Sequence, residues 1–240
     1  LAFVGGLFLL SKTVWLAVFK RRIYRFIKGA IFDMDGTLID SMPLWEDCGR
    51  AFLTARGITA REDLGETLKS LSMEQTADYL RDAYGISETT AEIIEMINGM
   101  VTDAYQRTIP LKRDIAAFLE RLRQADVRMC VATATDRPLA EAALGRLGLL
   151  PFFERIFTCS EVGAGKDRPD IFEQACAALG TPRGETVVFE DALYAIETAR
   201  RAGFRVVAIA DGASAGDGAR IAALSEQYIH NYEECEVNSL

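Results

Sequence analysis

Two aspartates separated by one residue, Asp33 and Asp35, stand directly after an apolar run in the stretch IFDMDGTLID. Carboxylates that close repel each other, and aspartate does not favour a strand. An Asx-type turn explains one of them, because an aspartate side chain readily bonds its own backbone in a turn. The second aspartate raises the alternative that the pair carries out chemistry where the strand ends.

Three further polar clusters stand next to apolar runs or helical patterns. Thr133 ends a run in VATATD, and Lys166 precedes a helical pattern in GAGKDRPDIF. Glu190 and Asp191 follow the run VVF. Each has a plain explanation by itself: a strand-end hydroxyl, a solvated loop charge, and acids that favour a helix N-terminus. Together with the aspartate pair they bring four carboxylates to one edge of a sheet, where Lys166 and a divalent cation must neutralise them. Sites rich in carboxylates suit Mg²⁺.

The elements that would position these groups are short apolar runs, which alternate with patterns of helical period from residue 29 onward. The runs are rich in Val, Ile or Phe and are bounded by turn residues, as strands are. They span residues 30–32, 127–132, 156–157, 186–189 and 205–210. This alternation predicts an α/β fold with a doubly wound parallel sheet and a Rossmann-like core. Such a sheet binds ligands at the carboxyl ends of its strands, where the polar clusters stand.

One long interval, residues 43–109, shows helical patterns and no strand pattern. Helices are expected over residues 44–56, 72–84 and 89–105, and the capping box Thr89-x-x-Glu92 opens the third. We expect the interval to form an inserted all-helical cap domain over the active-site end of the sheet. The predicted domains are an N-terminal extension of residues 1–28, a core of residues 29–42 and 110–240, and the cap of residues 43–109.

The distribution of charge argues against nucleic acid as a partner. The chain of 240 residues carries 27 basic and 35 acidic residues, which gives a net charge of −8. Residues 1–32 hold six of the basic residues and no acid, so the remainder has a net charge of −14. A body that acidic repels a phosphate backbone, and we expect no nucleic-acid partner.

Histidine and cysteine content restricts the chemistry further. The single histidine, His230, lies near the C-terminus, which argues against a histidine general base. The five cysteines are scattered and form no C-x-x-C pair, which predicts reduced thiols in a cytoplasmic protein and no disulfide framework or zinc site. We expect a monomer or a weak homodimer.

The N-terminal stretch LAFVGGLFLLSKTVWLAVF is apolar except for Ser11, Lys12 and Thr13, and a basic cluster follows it. Lys12 would lie in the middle of a membrane span, at a cost of roughly 2.5 to 3.5 kcal/mol on insertion scales. The favoured interpretation is an extension that is irrelevant to the chemistry, with no membrane partner. A membrane or interfacial anchor and a docking helix are the alternatives.

The ordered motifs resemble those of the haloacid dehalogenase superfamily, in the branch with a helical cap after the first motif that includes β-phosphoglucomutase and phosphoglycolate phosphatase. The resemblance covers residues 29–232. It rests on DMDGT, the threonine of VATAT, the lysine of GKDRPDIF and the acids of FEDALYAIETARRAGF. The family fold is the one that the alternation of strands and helices predicts.

The resemblance implies a role for each matched residue. Asp33 would be the nucleophile that forms an aspartyl-phosphate, and Asp35 would protonate the leaving oxygen and then take a proton from the attacking water. Thr133 and Lys166 would bind the phosphoryl oxygens. The implied Mg²⁺ ligands are Asp33, Glu190, Asp191 and the backbone carbonyl of Asp35. Phosphoryl transfer depends mainly on positioning and charge neutralisation, which Mg²⁺ and Lys166 would supply.

The function that this resemblance favours is a Mg²⁺-dependent phosphatase acting on small phosphate monoesters, such as a sugar phosphate or phosphoglycolate. Family members that cleave carbon–halogen or carbon–phosphorus bonds lack an acid at the position of Asp35, so its presence favours ester chemistry. The partner would be a small phosphorylated metabolite, because a cap leaves little room for a protein substrate. A non-enzymatic binding module of the same fold is less favoured, since such a module need not retain every motif residue.

The closest alternative is a hexose-phosphate mutase of the same branch, which passes the phosphoryl group to a sugar hydroxyl. Mutases carry a histidine and an arginine where this sequence has Trp45 and Met73, whereas Lys69 matches a cap lysine of the mutases. Without the arginine, a second phosphate lacks its bidentate partner, which favours hydrolysis. The candidates for substrate contact at the cap are Trp45, Lys69, Ser70 and Met73.

Overall fold

A parallel sheet lies at the centre of the protein. The computed structural model describes residues 27–68 and 73–236. The strands are β1 (Gly29–Phe32), β2 (Arg128–Thr133), β3 (Ile156–Thr158), β4 (Thr186–Glu190), β5 (Arg205–Ile209) and β6 (Gln227–Ile229). Their order is β3-β2-β1-β4-β5-β6, and every neighbouring pair is parallel. The predicted α/β fold with a doubly wound parallel sheet is confirmed.

Helices flank the sheet and build the cap. Between β1 and β2 lie α1 (Met42–Thr54), α2 (Leu64–Leu68), α3 (Met73–Tyr84), α4 (Thr90–Arg107) and α5 (Ile115–Gln124). After β2 follow α6 (Arg137–Arg146), α7 (Cys159–Val162), α8 (Asp170–Leu179), α9 (Leu193–Arg201) and α10 (Gly218–Leu224). Short 3-10 turns occur at Leu150–Phe152, Arg183–Glu185 and Gly212–Asp217.

The central strand β1 is buried on both faces. Ala30 and Phe32 belong to one hydrophobic cluster, together with the apolar residues of α5 and much of the cap. Ile31 belongs to a second cluster, which includes the apolar residues of α8 and α9. Successive side chains of a strand point to opposite faces, so β1 must be covered on both sides by helices. Phe32 also stacks on Phe189 of β4, with ring centroids 4.4 Å apart.

The strand order reverses between β1 and β4. From β1 the chain moves to β2 and β3 on one side of the sheet, and from β4 to β5 and β6 on the other. In doubly wound sheets the crevice at such a reversal is where ligands bind. Phe32 is in register with Phe189 of β4 and with Val131 of β2. The next residues along these strands, including Asp33 and Glu190, therefore lie at one edge of the sheet beside the crevice.

The cap agrees with its sequence pattern in most respects. The regular elements described between residues 43 and 109 are all helices. The capping box of α4 is formed: the N–H of Glu92 donates to Thr89 Oγ1 at 3.3 Å, and the N–H of Thr89 donates to Glu92 Oε2 at 2.8 Å. The sequence pattern did not predict α2 or β6, because elements of three to five residues are too short to show a period.

The two linkers that join the cap to the core lie side by side. The N–H of Asp40 donates to the carbonyl of Pro110 at 2.9 Å, and the N–H of Lys112 donates to the carbonyl of Leu38 at 3.0 Å. Lys112 Nζ donates to Asp40 at 2.9 Å and to Asp211, which follows β5, at 2.6 Å. The linkers are therefore tied to each other and to the core.

Within residues 27–68 and 73–236, none of the helices combines the length and the apolar composition that crossing a bilayer requires. The apolar stretch near the N-terminus, on which the anchor alternative depends, lies outside the described residues. All five cysteines are described, and all are free.

Candidate active site

Three buried carboxylates converge where β1 and β4 end. Asp33 follows β1, and its N–H donates to the carbonyl of Phe189 at 2.9 Å. Glu190 is the last residue of β4, and Asp191 follows it. The exposed fractions of Asp33, Glu190 and Asp191 are 6%, 2% and 4%. One oxygen of each side chain lies within 4.8 Å of the others, so three of the four acids that the motifs contribute share one site.

Lys166 is paired with this carboxylate cluster. It lies in the loop between α7 and α8 and is only 3% exposed. Its Nζ donates to Asp33 Oδ1 and, at 2.8 Å, to Glu190 Oε2. Burial opposes the charge on Lys166, but the carboxylates of Asp33 and Glu190 outweigh it and raise the pKa of Lys166 above its ordinary value. Lys166 therefore stays protonated at neutral pH.

One ammonium leaves the three carboxylates with excess negative charge. Burial, together with the charge of Glu190, raises the pKa of Asp33 well above its ordinary value. The same two causes raise the pKa of Asp191 to about 8. A divalent cation would supply the missing positive charge, and carboxylate oxygens are the ligands that hard cations prefer. Asp33, Glu190 and Asp191 are therefore a donor set that fits a metal ion.

The turn after the aspartate pair leaves room for Asp191. Gly36 has a φ of +85°, and a Cβ added there would lie 2.4 Å from Asp191 Oδ2. The next residue, Thr37, is fully buried, and its Oγ1 donates to Asp191 Oδ1 at 3.0 Å. Gly36 thus leaves space for the Asp191 carboxylate, and Thr37 holds that carboxylate by a hydrogen bond.

Replacing Gly36 by alanine should lower the free energy of unfolding by about 2 to 4 kcal/mol, because a left-handed backbone and crowding against a carboxylate both oppose the added methyl. Gly57→Ala is the matched control, since Gly57 has a φ of +70° but no atom of the described residues lies within 4 Å of an added Cβ. The free energy of unfolding of Gly57→Ala should fall by only about 1 to 2 kcal/mol. Denaturant titration measures both variants, and equal losses would contradict crowding at Asp191.

Asp35 does not join the carboxylate cluster, because three hydroxyl groups hold its side chain. Ser41 Oγ donates to Oδ1 and Thr135 Oγ1 to Oδ2, both at 2.7 Å. The hydroxyl of Tyr105 also donates to Oδ1. Burial and the charge of Asp35 raise the pKa of Tyr105, so the phenol keeps its proton and acts as the donor. The expected convergence of four carboxylate side chains is thus limited to three; the resemblance assigns only the backbone carbonyl of Asp35 to the metal.

Thr133 ends β2, the strand next to β1, and is fully buried. Its Oγ1 accepts a hydrogen bond from the N–H of Thr135 at 3.0 Å. A hydroxyl that accepts in one bond can still donate its proton in another. Thr133 is therefore placed at the sheet edge with a proton to offer an anionic ligand.

The four cap candidates are placed differently. Lys69 and Ser70 lie outside the described residues, so substrate contact there stays a prediction. Met73 is the first residue of α3, is half-buried and packs against the hydrophobic core. Trp45 lies on α1 and donates through its indole Nε1 to the hydroxyl of Tyr105 at 3.1 Å. Trp45 therefore contacts the tyrosine that is bonded to Asp35.

Hydroxyl residues at the site were missed by the sequence reasoning. Thr37 and Thr135 stand inside the motifs DMDGT and VATAT, and Ser41 follows the first motif closely, so proximity to the motifs could have identified them. Tyr105 has a weaker signal. It continues the buried face of α4, but a helical period does not say which residue a buried side chain meets.

The arrangement is suited to transfer of an anionic group. Asp33 offers a carboxylate next to the ammonium of Lys166, and Thr133 on the adjacent strand offers a hydroxyl. A buried cation and a hydroxyl donor can stabilise the oxygens of a phosphoryl group while a carboxylate attacks the phosphorus. Asp35 adds a second carboxyl group, which is bonded to three hydroxyl groups.

Comparison with known proteins agrees with this chemistry. Residues 27–203 match the sequence model of a hydrolase family described as haloacid dehalogenase-like hydrolase. The validoxylamine A 7'-phosphate phosphatase of Streptomyces hygroscopicus subsp. limoneus is 28% identical over 193 residues, which cover 76% of this chain and 85% of the relative. The fructose-1-phosphate phosphatase of Escherichia coli is 28% identical over 192 residues, which cover 77% of this chain and 97% of the relative.

Solved structures share the fold. The crystal structure of CbbY from Rhodobacter sphaeroides in complex with phosphate superimposes with a TM-score of 0.68 at 23% identity. The match covers 87% of this chain and 96% of that chain. The likeness therefore includes the cap as well as the sheet.

Proposed function

The chain belongs to the haloacid dehalogenase-like hydrolase family, and from that membership we propose that it is a phosphatase of small phosphate monoesters. The proposed reaction depends on Mg²⁺ and passes through an aspartyl-phosphate on Asp33. The observation that carries the proposal is the buried contact of Lys166 with Asp33 and Glu190, beside Asp191. The two relatives named above support the substrate class, since both are phosphatases of small phosphorylated molecules.

In the first step, an oxygen of Asp33 attacks the phosphorus of the ester, and the bond between phosphorus and the ester oxygen breaks. Asp35 gives its proton to that oxygen, so an alcohol departs instead of an alkoxide. Lys166 and Thr133 donate hydrogen bonds to the phosphoryl oxygens and offset their negative charge. The products of this step are the alcohol and the aspartyl-phosphate.

In the second step, water attacks the phosphorus of the aspartyl-phosphate, and Asp35, now a carboxylate, takes a proton from that water. The bond between phosphorus and the Asp33 oxygen breaks, which restores the Asp33 carboxylate and releases inorganic phosphate. Hydrogen bonds from three hydroxyl groups hold the Asp35 carboxyl group in place for this transfer.

The metal would be held by Asp33, Glu190 and Asp191 together with the backbone carbonyl of Asp35. A bound Mg²⁺ ion would neutralise charge on the phosphoryl oxygens. Mg²⁺ is proposed over softer metals because the side-chain donors are all carboxylate oxygens.

The cap supports a small substrate. A helical cap over the strand ends can exclude bulk water during phosphoryl transfer and must open to admit the ester. The substrate proposed is therefore a phosphorylated metabolite, such as a sugar phosphate, and not a phosphoprotein.

The five free cysteines support the expected reducing, cytoplasmic location.

A phosphate-release assay tests the proposal. The panel contains fructose 1-phosphate, phosphoglycolate, a nucleoside monophosphate and p-nitrophenyl phosphate, each with Mg²⁺ and with excess EDTA. We expect release from at least one alkyl ester with Mg²⁺, and release slower by about 100-fold or more in EDTA, because uncompensated carboxylates repel a phosphoryl group. Added Mg²⁺ should restore the rate.

Other outcomes would overturn parts of the proposal. Release that continues unchanged in EDTA would contradict the metal requirement. In a separate incubation with glucose 1-phosphate, its conversion to glucose 6-phosphate without release of phosphate would identify a mutase. Absence of release from every ester would contradict a phosphatase of small monoesters.

A further inference from the structure

A chain of hydrogen bonds runs from the cap to Asp35. Trp45 on α1 donates through Nε1 to the hydroxyl of Tyr105 on α4 at 3.1 Å, and Tyr105 donates to Asp35 Oδ1. The rings of Trp45 and Tyr105 pack edge to face, with centroids 6.4 Å apart. Tyr105 is fully buried. Side chains from two cap helices thus connect to Asp35, the residue that transfers protons in the proposed function.

The chemistry of the donors sets the direction of this chain. An indole N–H can only donate, so the oxygen of Tyr105 is the acceptor in its bond with Trp45. The phenol O–H then donates its hydrogen bond to the Asp35 carboxylate and keeps its proton. Hydrogen bonds arranged head to tail polarise one another, so Trp45 strengthens the bond from Tyr105 to Asp35.

The backbone around Tyr105 is fixed to the core. Arg146, the last residue of α6, donates to the carbonyl of Tyr105 at 3.2 Å and to the carbonyl of Ile109 at 2.5 Å. Ile109 lies in the second linker, next to Pro110, whose carbonyl accepts from Asp40 of the first linker. Tyr105 therefore stands near the junction of cap and core, where a rotation of the cap displaces atoms least.

We propose that Tyr105, held in place by Trp45, is a positioning residue that sets the orientation of the Asp35 carboxylate for both proton transfers. This inference rests on the proposed phosphatase function and adds a cap residue to it. Tyr105 acts through Asp35, so its hydroxyl contributes to the rate of the chemical steps and not to substrate affinity. Trp45 acts through Tyr105, which differs from the substrate contact expected for Trp45 from sequence.

Tyr105→Phe removes the hydroxyl and keeps the ring. On the alkyl ester of the panel that the wild type hydrolyses fastest, we expect kcat to fall about 10- to 100-fold with KM within about threefold, because the Asp35 carboxyl group loses the hydrogen bond that orients it. First-turnover release of p-nitrophenol from p-nitrophenyl phosphate should fall by less than about threefold, because that leaving group needs little protonation. The rate of first-turnover alcohol release from the alkyl ester should fall by the same factor as kcat.

Tyr84→Phe is the matched control for Tyr105→Phe. It also removes the hydroxyl of a cap tyrosine, which accepts a hydrogen bond from the N–H of Arg61 at 3.0 Å. The kcat of this control should equal that of the wild type. Equal losses of Tyr105→Phe on the two types of ester would indicate a general structural effect and overturn the inference.

A double-mutant cycle separates the chain of hydrogen bonds from substrate contact by Trp45. Trp45→Phe should lower kcat by about 3- to 10-fold when Tyr105 is present, because a neutral hydrogen bond is lost. In the Tyr105→Phe background it should have no further effect, since both residues act through one hydroxyl. If the two losses of kcat add in the double variant, Trp45 does not act through Tyr105. That result would overturn the proposed chain of hydrogen bonds and favour direct substrate contact by Trp45.

The outcomes distinguish this inference from the proposed function. An active wild type with an unchanged kcat in Tyr105→Phe would overturn the positioning role and leave the phosphatase standing. A wild type that releases no phosphate from any ester would overturn both. Thermal unfolding is measured for each variant; if Tyr105→Phe does not fold, an unchanged kcat in Trp45→Phe overturns the inference.

Discussion

The Asp33→Asn variant is expected to lose turnover by at least about 1,000-fold while it unfolds at the same temperature as the wild type or a higher one. Asparagine has nearly the shape of aspartate, but its amide is a poor nucleophile and cannot carry the phosphoryl group. Stability should not fall, because Asp33 is one of three buried carboxylates whose charges repel. The substitution removes one of these charges and leaves Lys166 paired with Glu190 at 2.8 Å.

Phosphate release and thermal unfolding measure the two effects of Asp33→Asn. Unfolding is followed in EDTA, because bound metal would add its own stabilisation to the wild type. Asp103→Asn is the control, since Asp103 is exposed on α4 and pairs with Arg107 at 2.8 Å; neither quantity should change. An Asp33→Asn enzyme that keeps more than about a tenth of the wild-type rate would exclude Asp33 as the nucleophile.

The Lys166→Met variant is expected to change stability in the opposite direction. Its free energy of unfolding should fall by about 3 to 5 kcal/mol, and its kcat by about 100-fold or more. Methionine keeps part of the apolar stem but removes the ammonium that pairs with Asp33 and Glu190. The buried carboxylates then repel one another without that cation, and the phosphoryl oxygens lose a charged donor.

Denaturant titration in EDTA measures the stability loss of Lys166→Met. Lys28→Met is the matched control: Lys28 pairs with Glu185 at 2.6 Å, but the two side chains are 61% and 38% exposed. An exposed ion pair contributes little, so this control should stay within about 1 kcal/mol of the wild type. A Lys166→Met loss as small as that of the control would mean that Lys166 does not balance the buried charges.

The two variants break the same ion pair from opposite ends. If the site were an ordinary buried salt bridge, either substitution would destabilise the fold, because each would leave one partner unpaired. An excess of negative charge predicts that the two substitutions change the stability of the fold in opposite directions. Only the loss of Lys166 makes the excess larger. The comparison of the two unfolding curves therefore tests the charge excess for which a divalent cation is proposed.

The sequence by itself determined the sheet, the cap and most of the candidate site. Local periodicity identified most of the longer strands and helices, because a strand or helix buried on one side repeats its apolar residues at a fixed spacing. Parallel topology then brought Asp33, Thr133 and Glu190 together, because every strand of such a sheet ends at the same edge. Periodicity missed α2 and β6, whose five and three residues are too few for a repeat. It also missed α6, whose ten residues bury only two alanines and one leucine and so show a weak apolar pattern.

Only the tertiary structure decided which acids share a site and what holds Asp35. The four motif acids look equivalent in sequence, yet three converge around Lys166, and the fourth is held by hydroxyl groups. Tyr105 is 70 positions away from Asp35 in the chain. Helical spacing indicates that Tyr105 is buried, but periodicity is a local property, whereas the partner of a buried side chain depends on how the cap docks on the core. The paired linkers and Arg146 join the cap to the core beside the contact between Tyr105 and Asp35.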